Sequence, residues 1–201
     1  MELNVNAELN VNSELNVNAE LNNNWNLYLH YKNLGKYYND NIEKIAEMKD
    51  IITFWRVFNN IPKIYEIFSD GVNYKKMKKN NSIPCAYSFF KENITPCWED
   101  PLNKNGFEFS VKSCKNLDNF NFEWMNCILE VISNNNELYE HINGIRVVDC
   151  TKFNSVLYRI EIWVDLVEYK DSIEQILKSN AFGFKKYKLL YRTHSDIKEQ
   201  I

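Results

Sequence analysis

From Val156 to Asp165 the chain alternates with a period of two, and that pattern constrains the fold more than any other. Val156, Tyr158, Ile160 and Ile162 take one set of positions, while Leu157, Arg159, Glu161, Trp163 and Asp165 take the other. Successive side chains of a strand point to opposite faces. One face is therefore apolar and suited to packing on helices, and the other carries a cation, a carboxylate and an indole. Such a strand fits an antiparallel sheet covered on one side only. On the polar face Arg159 and Trp163 stand roughly 13 Å apart at about 3.3 Å per residue.

Other segments supply the rest of the sheet and its cover. Trp25 to Lys32 alternates as a half-buried strand, and Ile42 to Met48, Cys85 to Lys91, Phe107 to Lys112, Ile142 to Cys150 and Lys185 to Tyr191 read as further strands. Asp50 is placed to cap a helix carrying Ile51, Phe54, Trp55 and Phe58 that ends before Pro62. Asp118 to Ser133 is amphipathic and stops at Asn134-Asn135-Asn136, and Ser172 to Ser179 forms a third helix. Strands in meander order with three interspersed helices predict an α+β fold, an antiparallel sheet with helices on one face.

At 201 residues, with 45% hydrophobic and 14% aromatic content, the chain is a folded domain with a tail. Residues 1–22 are read as the tail, an Asn-rich repeat of Glu-Leu-Asn-Val-Asn-Ala/Ser expected to be flexible, and residues 23–201 as the domain. Within the domain, 63–82 is lysine-rich and reads as a surface insertion. The formal net charge of −3 confines any nucleic-acid contact to a local patch. No stretch has the roughly 18 to 20 apolar residues of a membrane span, and the first residues lack a secretory leader's pattern. Five scattered cysteines without a CxxC pair suit a reducing compartment, the cytosol with a nuclear share allowed. His30, His141 and His194 are dispersed, and neither a catalytic triad, a phosphate-binding loop nor metal-ligand spacing is present, so neither an enzyme nor a metal protein is expected.

Pro96-Cys97-Trp98-Glu99-Asp100 sets a large π-face beside a carboxylate, just ahead of Asn103 to Gly106. Such a pair reads guanine economically: an indole stacks on the ring while a carboxylate accepts from its N1–H and N2–H₂ edge. The motif does not stand alone. Trp25-Asn-Leu-Tyr, Phe54-Trp55-Arg-Val-Phe-Asn-Asn-Ile61, Tyr87-Ser-Phe-Phe-Lys91, Asn103-Lys-Asn-Gly106, Ile160-Glu-Ile-Trp163 and Tyr191-Arg-Thr-His194 occur around it in order. Together they resemble the messenger-RNA-cap-binding translation initiation factor 4E family from about Trp25 to Asp196.

That resemblance implies a curved antiparallel sheet shaped like a cupped hand, with three helices packed on the convex face and the 7-methylguanosine cap in the palm. It implies no cofactor. Trp98 matches one of two rings that clamp the cationic base, Tyr38 stands at the other by ungapped spacing with Tyr37 adjacent, and Glu99 matches the carboxylate that reads the guanine edge. Trp163 matches the residue that contacts the methyl group, and Arg159 matches a phosphate-binding Lys. A second phosphate-binding Arg falls on Cys150, and Lys152 is the expected stand-in. Glu108 matches a family Arg, a reversal of charge.

On the back, Ile51, Trp55, Met125 and Leu129 match a groove for a helical Tyr-x-x-x-x-Leu-Φ segment, as carried by a scaffold of the 4G type or by competing repressors. Asn126 replaces the acidic residue that the family places after Met125. The expected function is cap binding and recruitment of capped mRNA to the initiation machinery by a monomer. The alternatives are a weaker cap binder acting as a translational repressor, or an interaction module with a vestigial pocket.

Overall fold

The computed structural model describes residues 19–195 apart from 33–37, 75–77, 114–116, 153–154 and 180–181. Most of the N-terminal repeat, Tyr37, Lys75, Lys76 and Cys114 therefore lie outside the described residues. Seven strands run as β1 (Glu20–Tyr31), β2 (Ile42–Asp50), β3 (Pro84–Lys91), β4 (Phe107–Ser113), β5 (Ile142–Asp149), β6 (Tyr158–Val164) and β7 (Leu190–Thr193). They form one curved sheet in the order β2-β1-β3-β5-β6-β4-β7, with every neighbouring pair antiparallel. The helices are α1 (Ile51–Asn60), α2 (Ile64–Ile67), α3 (Leu117–Ser133), α4 (Glu137–Glu140) and α5 (Lys170–Lys178). Three long helices match the α+β expectation; α2 and α4 are single turns.

The alternation in β6 divides the molecule as its sequence requires. Tyr158, Ile160, Ile162 and Val164 join one hydrophobic core with Trp25, Leu27 and Leu29 of β1 and with Phe54, Phe120, Trp124, Ile128, Ile173 and Leu177 of the helices. Trp25 stacks on Phe89 at 4.7 Å, and Phe54 and Phe58 set their rings edge-on against Phe89. Trp163, on the other face, belongs to a separate cluster with Phe90 and Ile94, against which Tyr28 and Trp98 pack.

Helix α1 starts where Asp50 stops β2. One Asp50 carboxylate oxygen accepts from the Thr53 backbone N–H at 2.7 Å and the other from the Thr53 hydroxyl at 2.9 Å, an N-cap that satisfies an otherwise unpaired donor. The Thr53 N–H holds the Asp50 carboxyl below its ordinary range. Asp50→Ala is expected to lower the thermal midpoint by about 2–4 °C, with Asp50→Asn restoring most of the loss in the same melting experiment.

Three details depart from the sequence reading. Strand β1 begins at Glu20, inside the span assigned to the tail, because Glu20 pairs with Asp50 and Asn22 is anchored: its amide donates to the carbonyls of Val131 at 2.7 Å and Asn134 at 2.9 Å, closing the end of α3. Between those anchors Leu21 to Asn24 bulge opposite Lys49 alone. The stretch 63–82 is not wholly a surface insertion. Ile64, Ile67 and Phe68, at helical spacing, are buried in the core, and Ser69 donates its N–H to Asp149 at 3.0 Å. Its later part is exposed, and Lys79 pairs with Glu43 at 2.9 Å. The last strand lies further along than Lys185 to Tyr191. Phe182 and Phe184 are core residues flanking Gly183 at φ +69°, a 3₁₀ turn follows over Phe184–Lys186, and pairing to β4 starts only at Leu190.

Candidate functional site

The uncovered face is a palm whose floor is set by strand pairing. Gly144 of β5 and Glu108 of β4 flank Trp163 of β6; one step along, Arg146 and Ser110 flank Glu161; a further step brings Val148 and Lys112 beside Arg159. Gly144 is required here. A Cβ would meet the Phe90 ring at 2.4 Å, and its absence lets Phe90 lie over the strand and meet Trp163 edge-on at 5.3 Å.

Trp98 reaches this floor on a loop held by its own polar side chains. Asp100 accepts from the backbone N–H groups of Thr95 at 2.8 Å and Leu102 at 3.0 Å. The fully buried Asn103 donates to the carbonyls of Thr95 and Cys97, both at 2.9 Å, and its own amide oxygen accepts from Asn143 at 3.0 Å. His194 donates from Nδ1 to the Asn103 carbonyl at 2.6 Å and lays its ring against Trp163 at 4.6 Å. Gly106 closes the loop against β6, where a Cβ would lie 2.0 Å from the Val164 carbonyl oxygen. So held, the Trp98 ring stacks on Trp163 with centroids 6.5 Å apart and planes 15° from parallel, within the offset-stacked range. Trp98 is half-buried, Trp163 is buried beneath it, and Glu99 is exposed beside it.

Charge is concentrated next to these rings. The buried Glu161 accepts from the Trp163 indole N–H at 2.9 Å, is paired by Arg159, and has Arg146 at 3.7 Å. Burial alone would raise its carboxyl, but Arg159 and Arg146 together hold it below the ordinary range. Glu108 takes Arg192 of β7 at 2.7 Å. Its carboxyl is pushed up to about 7 by burial and by Glu161, against the pull of Arg159 and Arg192. On the far side His30 and Ser88 are hydrogen-bonded at 2.6 Å, and burial with Arg146 nearby pushes the His30 imidazole well below its usual range.

The structure thus brings Trp98, Trp163 and Arg159 to one face, with Glu99 exposed on the Trp98 loop. It does not bring Lys152 among them: Lys152 is exposed in the β5–β6 hairpin, where it bridges Ser155 beyond the strand ends. Lys112 lies beside Arg159 on this face, and a further cation of the palm is Arg146. Its place on the same alternation as Gly144 and Val148 was the signal available in the sequence. Tyr38 opens a 3₁₀ turn over Tyr38–Asn41, and its side chain, like all of Tyr37, lies outside the description.

On the opposite face Trp55 is 41% exposed and Ile51 37%, while Met125 and Leu129 are partly buried against the core. Ile51, Asn126, Leu129, Glu130, Ile132 and Ser133 line a shallow hollow of about 300 Å³ between α1 and α3. A large indole left in water at the rim of an apolar groove marks an interaction surface.

The model of the eukaryotic initiation factor 4E family matches residues 20–200. The chain belongs to that family. Mouse eukaryotic translation initiation factor 4E type 1B is 25% identical over 178 residues, which are 86% of this chain and 66% of the relative, so the chain spans just under two thirds of that protein. Among solved structures, a complex of C. elegans eIF4E-3 with the 4E-binding protein Mextli and a cap analog aligns with a TM-score of 0.70 at 22% identity, covering 90% of this chain and 96% of that one. A schistosome eIF4E complexed with m7GpppG and 4E-BP aligns at 0.72 and 19% identity, covering 92% and 93%. At those identities the two structures establish the factor 4E fold, the cupped hand.

Among the described residues of this factor 4E domain no three His, Cys, Asp or Glu side chains are placed to hold a metal ion, and no helix is long and apolar enough to cross a membrane. Cys85, Cys97, Cys127 and Cys150 are free thiols, and burial raises each of them above the ordinary range.

Proposed function

We propose that the chain binds the 7-methylguanosine 5′ cap of mRNA in the palm and brings it to the translation initiation machinery through a helical partner on its back. The observation that carries this reading is the Trp98 ring stacked on Trp163 with Glu99 beside it, on the same sheet face as Arg159 and Arg146. The outer face of Trp98 takes the cationic base by stacking and cation–π attraction. Glu99 accepts from the N1–H and N2–H₂ edge, and Arg159 and Arg146 attract the phosphate bridge. No bond is made or broken, so the protein acts as a binding factor and not as an enzyme. Relatives solved with a cap analog or m7GpppG and a 4E-binding protein support both halves of the reading.

The test is a tryptophan fluorescence titration with 7-methyl-GTP and GTP. The methylated nucleotide quenches Trp98 at a much lower concentration than GTP, and equal quenching by both would remove the reading. Trp55→Ala leaves this titration unchanged and weakens binding of a Tyr-x-x-x-x-Leu-Φ peptide by about 2 kcal/mol, as truncation of an interface aromatic does. Loss of cooperative unfolding in that variant would instead make Trp55 a packing residue.

A further inference from the structure

Glu108 is an unusual occupant of the palm. It is 1% exposed, and one of its two carboxylate oxygens, Oε2, has no hydrogen-bond partner among the described residues. The other oxygen takes Arg192. A buried carboxylate normally fills its acceptor positions, and an open one points to a group that is supplied from outside. Glu108 sits directly across the β4–β6 pairing from Trp163, in the row of rings and one step from the row of Glu161 and Arg146. Burial and the Glu161 charge on β6 disfavour its ionised form, Arg159 and Arg192 only partly compensate, and its carboxyl stands at about 7. A positive charge brought to the ring row relieves that imbalance.

We propose that Glu108 is a specificity-determining residue of the palm, a counter-charge that recognises the positive charge of an N7-alkylated purine and so favours it over the neutral base. This inference rests on the cap-binding reading above and adds a charge-selective residue to it. Stacking on Trp98 and edge recognition by Glu99 read the shape and hydrogen-bonding pattern of guanine, and cation–π attraction to Trp98 supplies part of the preference for the methylated base. Glu108 adds a second recognition of the charge that methylation at N7 creates. The phosphate chain pays the opposite electrostatic cost in both nucleotides, and that cost cancels when the two are compared.

The experiment measures the ratio of GTP to 7-methyl-GTP dissociation constants for the full chain, wild type and Glu108→Gln. The same ratio is taken for guanosine and 7-methylguanosine, which carry no phosphate. Glutamine keeps the size of the side chain and still accepts from Arg192, and a thermal melt confirms that the variant is folded. The ratio is expected to fall on the order of fivefold or more for nucleotides and nucleosides alike, from loss of one charge in a buried site of low effective dielectric. Glu108→Asp, which restores the charge, is expected to recover most of it. An unchanged ratio overturns the proposal. If in addition both nucleotides bind Glu108→Gln more tightly by the same factor, Glu108 acts only by repelling phosphate. A wild-type protein without preference for 7-methyl-GTP removes the cap-binding reading itself, an outcome separate from an unchanged ratio in a protein that does discriminate.

Discussion

Glu99→Ala is expected to weaken 7-methyl-GTP binding by about 2 kcal/mol or more, roughly thirtyfold, because charge-assisted donors on the guanine edge lose their acceptor. Glu99 is exposed, and the surrounding loop is held by Asp100 and Asn103 and not by Glu99 itself. The variant therefore keeps its melting temperature, and the whole loss appears in the titration. Glu99→Gln still accepts at one position but presents an amide donor at the other, so it recovers little. Titration curves that overlay wild type would put the base elsewhere in the palm.

Asn103→Ala is expected to act on both stability and binding. The side chain is fully buried and makes three hydrogen bonds, two to loop carbonyls and one from Asn143. Removing it takes one hydrogen bond from each of three groups: the Thr95 and Cys97 carbonyls keep the N–H groups of Cys97 and Asp100, and the Asn143 amide keeps the Leu102 carbonyl. At about 1 kcal/mol for each of the three hydrogen bonds lost, a loss of about 3 kcal/mol in urea unfolding follows. The Trp98 loop loosens with it, so 7-methyl-GTP affinity falls in the fraction that stays folded. Asn103→Asp fares little better, since a carboxylate cannot donate to two carbonyls. A stable variant with normal binding would mean that Asp100 and His194 hold the loop without Asn103.

Much of this arrangement was legible in the sequence, for reasons that differ by element. The period-two stretch around Trp163 fixed both the covered face and the palm face, because burial on one side of a strand leaves no freedom of register. Asp50 marked the start of α1 because an acceptor side chain before an apolar helical stretch has one cheap use. Ile64, Ile67 and Phe68 were hidden by the lysines that follow them, although their spacing is that of a buried helical turn. The end of the sheet was misplaced because Tyr187 and Leu189 resemble a strand, while pairing to β4 depends on where Gly183 lets the chain turn.

Within the site, the rings, Glu99 and Arg159 came from local motifs, and the pairing of the charges did not. Lys152 was chosen for lying near a family position, but it sits beyond the strand ends. Beyond the short-range bonds of Glu161 to Arg159 and Trp163, Arg146 pairs with Glu161 across 15 residues and Glu108 with Arg192 across 84, visible only once β4, β5, β6 and β7 lie side by side.

The amide of Asn22 reaches two carbonyls at the end of α3. It ties the final turn of α3 to the start of β1, and β1 then runs under the palm to Tyr28, which packs against the Phe90–Trp163 cluster. A helix docked on the back that displaced α3 would pull on a strand contributing to the opposite surface. Any coupling between two such occupants would then run in series through one rope of backbone. By thermodynamic reciprocity, whatever the docked helix does to the hold on the nucleotide, the nucleotide does equally to the hold on the helix.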